Sequence, residues 1–271
     1  MHELTLFAHV PTSRVHHVER ALTTVTGMQG VPLLEHHLVY KPKRNRQSVG
    51  GNTAGNGSSG PPNPAGAGDF YYLKLVTEIP QPDDATQYQT ATSRHGIGGS
   101  DVMDVDSGPD GENKANGNHG KGTAYDVREQ RWTIRFSDLP EVNGKRPVTS
   151  RMIHNATVYD GDTLAFVDSL GYMLVSEYIL AGSYFVYHNI YITLTRTLVP
   201  SKPLSPFPKE ALQPLDSADA NVLQASIKVL SANEQETMNK GVEELKMLRN
   251  ELKGVADLEL GDRLSLDTRV R

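Results

Sequence analysis

The stretch YMLVSEYILAGSYFVYHNIYITLTRTLV, residues 172–199, decides the fold. Aromatic and β-branched side chains dominate it, and these residue types favour β-strands. Ala181 and Gly182 interrupt the pattern, so we predict two strands, Tyr172–Leu180 and Ser183–Val199, with a turn between them. Because strands joined by a short turn pair antiparallel, an antiparallel sheet is expected.

The residues before this stretch add strands to the predicted sheet. Segments with alternating or densely apolar character occur at residues 4–10, 33–40, 69–76, 131–136 and 148–158. Tyr159–Asp162 has the composition of a hairpin turn, so Thr163–Val167 is predicted to be its return strand. About eight strands, mostly joined by short turns, indicate a mainly β fold, namely a closed antiparallel β-barrel.

Two helices are expected beside the barrel. Apolar residues at helical spacing predict an N-terminal helix that Ser13 caps and Gly27 ends. A Pro-rich connector at 200–214 precedes a long C-terminal helix, predicted over about 217–253 and ended by Gly254. Its apolar stripe packs either on the barrel of the same chain or on a partner. The stripe comprises Leu223, Ile227, Leu230, Met238, Val242, Leu245, Leu248 and Leu252. Residues 258–266 alternate weakly and are expected to fold back as an extended piece.

Glycine is concentrated in two stretches of low sequence complexity. Fifteen of the 24 glycines lie between residues 50 and 68 or between 96 and 122. We predict that about 44–68 and 81–122 are disordered insertions, because they contain too little apolar surface to offset the entropy of ordering. The chain of 271 residues is then a single domain carrying two long loops.

Composition excludes several classes of protein. The chain has no cysteine, which excludes disulfide scaffolds and thiol nucleophiles. No apolar run approaches the length of a membrane span, so no membrane insertion is expected. The net charge of −5 disfavours a general nucleic-acid surface, and no sequence-specific nucleic-acid binding is expected.

No motif predicts catalysis, a metal or a cofactor. His36 and His37 are neighbours on a strand and point to opposite faces, so they cannot converge on one metal by themselves. His16 and His17 lie on the N-terminal helix. Both pairs are interpreted as core or solvated histidines.

Two groups of residues are candidates for contact with a partner. On a strand over 183–199, Phe185, Tyr187 and Tyr191 share one face with polar neighbours, a mixture that is enriched at protein interfaces. The alternative is that another element of the same chain, such as the C-terminal helix, covers this face. The basic segment with Lys41, Lys43, Arg44 and Arg46 is a nuclear-import signal, a contact for an acidic partner, or only a charged strand end.

The order of these elements resembles the fungal family of Mediator subunit 18, a component of the Mediator head module. The resemblance covers roughly the 200 residues outside the insertions. It rests on residues 1–4, Thr26-Gly27-Met28, His36 to Arg44, Trp132 to Arg135 and the turn-rich stretch 151–198. That family is similar in fold to the tunnel-shaped barrel of RNA triphosphatases, which hold metal through Glu-x-Glu pairs on inward-facing strands. Here the only Glu-x-Glu, at Glu234 and Glu236, lies on the predicted helix.

The resemblance therefore implies a non-enzymatic scaffold that couples transcriptional regulators to RNA polymerase II in the nucleus. It implies a heterodimer with Mediator subunit 20 and contact with the C-terminal helix of subunit 8, RNA polymerase II being an indirect partner. The alternative is a metal-dependent RNA 5′-triphosphate or polyphosphate hydrolase on the same barrel. A third interpretation is a carrier that holds a small ligand inside the barrel.

Overall fold

The computed structural model describes residues 1–43, 70–79, 125–141, 147–204, 212–218, 220–230 and 234–270. Both predicted insertions, 44–68 and 81–122, lie entirely outside the described residues. The described part contains strands β1 (His2–Val10), β2 (Val31–Pro42), β3 (Leu73–Glu78), β4 (Thr133–Ser137), β5 (Thr149–Thr157), β6 (Tyr172–Tyr187), β7 (Ile190–Pro200), β8 (Leu212–Pro214) and β9 (Asn221–Val229). Its α-helices are α1 (Val15–Thr26), α2 (Thr163–Ser169) and α3 (Gln235–Glu251).

Eight of these strands close into a barrel. The order around the wall is β6-β2-β3-β4-β5-β1-β9-β7, and β7 pairs again with β6. Every pairing is antiparallel, and the short β8 extends the sheet only beside β7. The predicted mainly β fold with a closed antiparallel barrel is confirmed.

The largest apolar core lies outside the barrel, between the wall and two helices. Leu4 and Leu6 of β1 are fully buried there with Leu22 of α1 and Leu245 of α3. Gly241 lets α3 approach the wall closely, since a Cβ at this position would lie 3.0 Å from Leu4 Cδ1. The apolar stripe of the C-terminal helix therefore packs on the barrel of its own chain, one of the two alternatives.

A second apolar cluster covers another part of the wall. Trp132 is fully buried and donates from its indole nitrogen to the carbonyl of Val127 at 3.0 Å. Leu38 of β2, Leu75 of β3 and Val167 of α2 pack around it. Helix α2 thus closes this cluster from outside.

The predicted return strand Thr163–Val167 is wrong, because these residues form α2. Asp162 acts as an N-cap, since its carboxylate accepts a hydrogen bond from the Ala165 amide at 3.0 Å. The acidic residue that suggested a hairpin turn thus starts a helix. At α1, Gly27 has a φ of 71° and ends the helix as predicted, whereas Ser13 makes no cap and lies in a 3-10 turn at Thr12–Arg14.

The C-terminal helix starts later than predicted, at Gln235 instead of about residue 217. Residues 221–229 form β9, which lies between β1 and β7 and is needed for closure of the barrel. Leu223 and Ile227 are four residues apart, a spacing that places both on one face of a helix and also of a strand. The apolar stripe therefore ran across two elements. The piece at 258–266 folds back as expected, with reciprocal backbone hydrogen bonds of 2.8 and 2.7 Å between Phe7 and Glu259.

The turn within the stretch 172–199 lies at His188 and Asn189, and His188 has a φ of 53°. The predicted turn at Ala181–Gly182 is wrong, because Gly182 lies within β6 opposite Thr195. A Cβ at Gly182 would collide with the backbone carbonyl of Leu194, so this glycine permits close approach of two strands and makes no turn.

Candidate functional site

The barrel encloses a cavity of about 390 Å³ that is lined by side chains from all eight wall strands. Strand alternation produces this arrangement, because the residues between the apolar outward ones point into the lumen. Glu3 of β1, for example, lies between Arg151 of β5 and Lys228 of β9 in the pairing register. Leu266 and Thr268 of the C-terminal segment also contribute to the lining.

The lumen carries more positive than negative charge. Its lining includes the four cations Lys74, Arg135, Arg151 and Lys228, but only the two carboxylates Glu3 and Glu35. Arg151 is engaged by Glu3, whose Oε2 accepts from Nε at 2.8 Å and from Nη2 at 2.7 Å. Among the described residues, the remaining three cations face Glu35, with Glu78 opposite it in register.

Two cations of the lumen lie directly opposite one another on adjacent strands. Lys74 of β3 pairs in register with Arg135 of β4. Lys74 donates to the hydroxyl of Tyr178 at 3.3 Å and lies 5.9 Å from the centre of that ring. Arg135 Nε is buried and has no hydrogen-bond partner among the described residues. Like charges at directly opposed positions repel, so this pair requires a compensating charge nearby.

Glu35 and His37 lie two residues apart on β2 and both face the lumen. His37 Nε2 donates to Glu35 Oε2 at 3.1 Å, and the His37 ring stacks on Tyr178 at 4.8 Å. Burial lowers the pKa of His37, and the Lys74 and Arg135 charges lower it further, against the opposing effect of Glu35. Burial would raise the pKa of Glu35, but the bond to His37 and the nearby cations outweigh it, so that pKa is lowered. A neutral imidazole beside an ionised carboxylate is the resulting state near neutral pH.

The structure separates the three aromatic residues predicted to form one partner face. The turn at His188–Asn189 puts Phe185 on the outside of the wall, where it is 1 % exposed in the core under α1 and α3. Tyr191 lies in the lumen with its ring 5.4 Å from that of Tyr184, and burial together with the Glu35 charge raises the pKa of its hydroxyl. The prediction of one shared face is therefore wrong.

Helix α3 covers the outer end of the β6–β7 hairpin, as the alternative interpretation expected. The Tyr187 hydroxyl donates to Glu251 Oε1 at 3.2 Å, and the Asn189 amide donates to Glu244 Oε1 at 3.0 Å. Tyr187 itself remains partly exposed.

Two of the four basic residues in the segment from Lys41 to Arg46 lie among the described residues. Lys43 forms an ion pair with Asp168 of α2 at 2.6 Å, and Lys41 is half-buried at the end of β2. Arg44 and Arg46 lie outside the described residues. The part that is described thus lies beside α2.

Sequence reasoning missed a buried polar network on the outside of the wall. His36 is fully buried, and its two ring nitrogens contact Glu177 Oε1 and the Tyr125 hydroxyl, each at 2.8 Å. Glu177 Oε2 also accepts from the Leu204 amide at 2.6 Å. Burial and the Glu177 charge raise the pKa of Tyr125. The network fixes the segments that lead into β4 and out of β7 to the wall, which is a structural role.

The histidines occur in the environments predicted for them. His36 and His37 are buried on opposite faces of β2, whereas the His16 side chain is 95 % exposed. Within the described ranges, no three His, Asp or Glu side chains come together as a metal-binding group. Among the described helices, none is long and apolar enough to cross a bilayer.

Comparison with known proteins identifies the family. Residues 2–269 match the family described as Med18 protein. The chain belongs to the Med18 family. It is 34 % identical over 284 residues to the Mediator of RNA polymerase II transcription subunit 18 of Coccidioides immitis, and 32 % identical over 287 residues to that of Aspergillus oryzae. Both alignments cover 100 % of each protein.

A solved structure shares this fold. A chain in the structure of the Schizosaccharomyces pombe Mediator head module superimposes with a TM-score of 0.65 at 20 % identity. The match covers 96 % of this chain and 99 % of that chain. At this identity the likeness concerns the fold, and it extends over nearly the full length.

Proposed function

We propose that this chain is a non-enzymatic scaffold subunit of the Mediator head module that couples transcriptional regulators to RNA polymerase II in the nucleus. The observation that carries the proposal is the family match over residues 2–269, together with full-length relatives that are themselves Mediator subunits. A scaffold needs a rigid body with surfaces for partners, and a closed barrel with helices packed outside it is such a body.

The charges of the lumen support a non-enzymatic role. A metal held on a barrel wall by carboxylates needs several of them on neighbouring inward positions. Here the two lining carboxylates lie on separate strands, and Glu3 is already engaged by Arg151. For the alternative, a metal-dependent hydrolase, phosphate release from tripolyphosphate with Mg²⁺ or Mn²⁺ is the direct assay, and we expect no turnover.

The proposed partners are Mediator subunit 20 as a heterodimer and the C-terminal helix of subunit 8. Exposed apolar side chains on α2 and at the start of β6 support contact with another protein. They are each between 43 and 53 % exposed, namely Phe166, Leu170, Met173 and Val175. Neighbouring apolar side chains that remain exposed, such as Phe166 and Leu170 on α2, tend to mark interaction sites. The adjacent basic segment from Lys41 provides either a contact for an acidic partner or an import signal.

Co-purification from cell extract tests the proposal. A tagged full-length chain is expected to recover the head-module subunits, identified by mass spectrometry, and to become more soluble when co-expressed with subunit 20. A chain that is soluble alone, does not bind subunit 20 and recovers no Mediator subunit would overturn the proposal.

The position of the partner surface has its own test. The double variant Phe166→Asp/Leu170→Asp is expected to lose recovery of at least one head-module subunit. Leu230→Asp is the matched control, since Leu230 is 86 % exposed at the end of β9, away from α2. Equal recovery by both variants would place the interface elsewhere.

A further inference from the structure

We propose that the barrel lumen binds an oxyanion of the phosphate class, held by Lys74, Arg135 and Lys228. This goes beyond the scaffold role and does not depend on it, because the binding groups lie inside the barrel wall. The inference rests on three observations: an opposed pair of like charges, a buried donor without an acceptor, and the balance of charge.

The opposed pair is Lys74 and Arg135. They face each other in register on β3 and β4, within the walls of the cavity. A pair of like charges directly opposite in a sheet destabilises the protein unless an opposite charge lies between or beside them. Tyr178 accepts from Lys74, but its hydroxyl is neutral and does not remove the repulsion.

The donor is Arg135 Nε, which is buried in the wall of the lumen and finds no acceptor in the part of the chain that the structure describes. A buried N–H group almost always has a hydrogen-bond partner, and an exception calls for a missing ion or water. A guanidinium presents its N–H groups as a fork that fits the oxygens of a phosphate. An oxyanion beside Arg135 would supply the acceptor.

Charge balance gives the sign of the charge on the ligand. Arg151 and Glu3 neutralise each other through their short ion pair. Lys74, Arg135 and Lys228 then face Glu35 and its register partner Glu78, which leaves a net charge of +1 with His37 neutral. Hydrogen phosphate or a phosphomonoester carries about −1.5 to −2 near neutral pH, so this excess of positive charge attracts it.

The cavity also has the size and the polar groups for such a ligand. Its volume of about 390 Å³ accommodates a phosphoryl group, a small substituent and bridging waters. Thr193 and Ser226 contribute hydroxyls to the lining. Glu35 and Glu78 lie opposite one another in register, each four residues along its strand from the Val39–Lys74 pair, which is about 13 Å. The cationic layer at Lys74 and Arg135 is therefore the part of the lumen where an anion is stabilised.

Isothermal titration calorimetry on the full-length chain in a phosphate-free buffer tests the proposal. The probes are inorganic phosphate, phenyl phosphate and sulfate, with chloride at equal ionic strength as the reference. Saturable binding of phosphate or phenyl phosphate with one site per chain is expected, and each should raise the thermal midpoint. Tighter binding of phenyl phosphate than of phosphate would identify a monoester as the preferred ligand.

Variants locate the site. Arg135→Gln and Lys228→Gln are each expected to weaken binding about ten- to a hundredfold, since each removes a charged hydrogen bond or ion pair. Lys228 is exposed at its strand position, so its variant keeps the test valid if Arg135→Gln does not fold. Arg20→Gln, on the exposed side of α1, is the matched control and should bind like the wild type. Absence of binding at millimolar phosphate, or binding that neither lumen variant weakens, would overturn the proposal.

Discussion

The two faces of the barrel wall differ in chemical character and in how much they contribute to the folding free energy. The outer face is apolar and is covered by α1, α2 and α3, whereas the inner face carries charged groups around a cavity. In this barrel the folding free energy from apolar burial therefore comes mainly from layers outside the wall. The inner face is free to carry charges that a packed core would exclude.

The largest expected effect comes from the outer layer. Leu245→Ala on α3 removes a fully buried side chain and should lower the free energy of unfolding by about 2–5 kcal/mol. Leu180→Ala is the matched lumen variant, since Leu180 lines the existing cavity and its removal opens little new space. Urea denaturation of both variants measures the difference. A larger loss for Leu180→Ala would contradict the comparison of the two faces.

A smaller effect is expected for the ion pair inside the barrel. Arg151→Gln leaves the carboxylate of Glu3, which is 7 % exposed, without its partner. We expect a loss of about 2 kcal/mol, less than the ~3–5 kcal/mol for breaking a fully enclosed pair, because Lys228 lies opposite Glu3 on β9. The double variant Glu3→Gln/Arg151→Gln should recover part of this loss. If it is less stable than the single variant, burial of an unpaired charge is not the cause.

Removing the N-cap of α2 should lower the stability of the protein by less than breaking the ion pair does. Asp162→Ala removes the hydrogen bond to the Ala165 amide and is expected to lower stability by about 1 kcal/mol. Asp160→Ala is the control, because Asp160 lies two residues earlier in the same turn. Equal thermal midpoints for the two variants would refute the role of Asp162 as a cap.

The smallest expected effect is a pH dependence set by the lumen. The pKa of His37 lies below the ordinary 6.5 in the folded protein, so the unfolded chain takes up this proton first as the pH falls. Stability should therefore decrease as the pH falls through about 6.5. His37→Gln should flatten the stability profile between about pH 7.5 and 5.5, whereas the exposed His16→Gln should leave its slope unchanged. An unaltered slope for His37→Gln would assign the pH dependence to other groups.

The strand segments were predictable where alternation was strong and the flanking turns were clear, as at β1, β2 and β5. Two segments were not predictable in this way. Thr163–Val167 was predicted to be a strand and is a helix, whereas residues 221–229 were predicted to be helical and form a strand. The number of barrel strands therefore stayed at eight. In α2, Asp162 suits both a hairpin turn and an N-cap, and only burial of Val167 over Trp132 distinguishes the two. In β9, the four-residue spacing of Leu223 and Ile227 fits both the period of a helix and the period of a strand.

The candidate site was harder to predict than the fold. Lys74, Arg135, Arg151 and Lys228 are far apart in the sequence, and each is unremarkable in its own segment. Only closure of the barrel brings them to one cavity. Tyr191 was predicted to face a partner because the stretch 183–199 was treated as one strand. The turn at His188–Asn189 shifts the alternation and places Tyr191 inside.

The sequence by itself determined that the chain is β-rich with helices toward its two ends, because these features depend on local alternation and helical spacing, and it showed a resemblance to the Med18 family. Tertiary structure alone decided which face of each strand is inside. Alternation with a period of two defines two faces but does not say which one a closed wall encloses. That choice was made by packing, since α1, α2 and α3 bury the apolar face from outside and leave the charged face to the lumen.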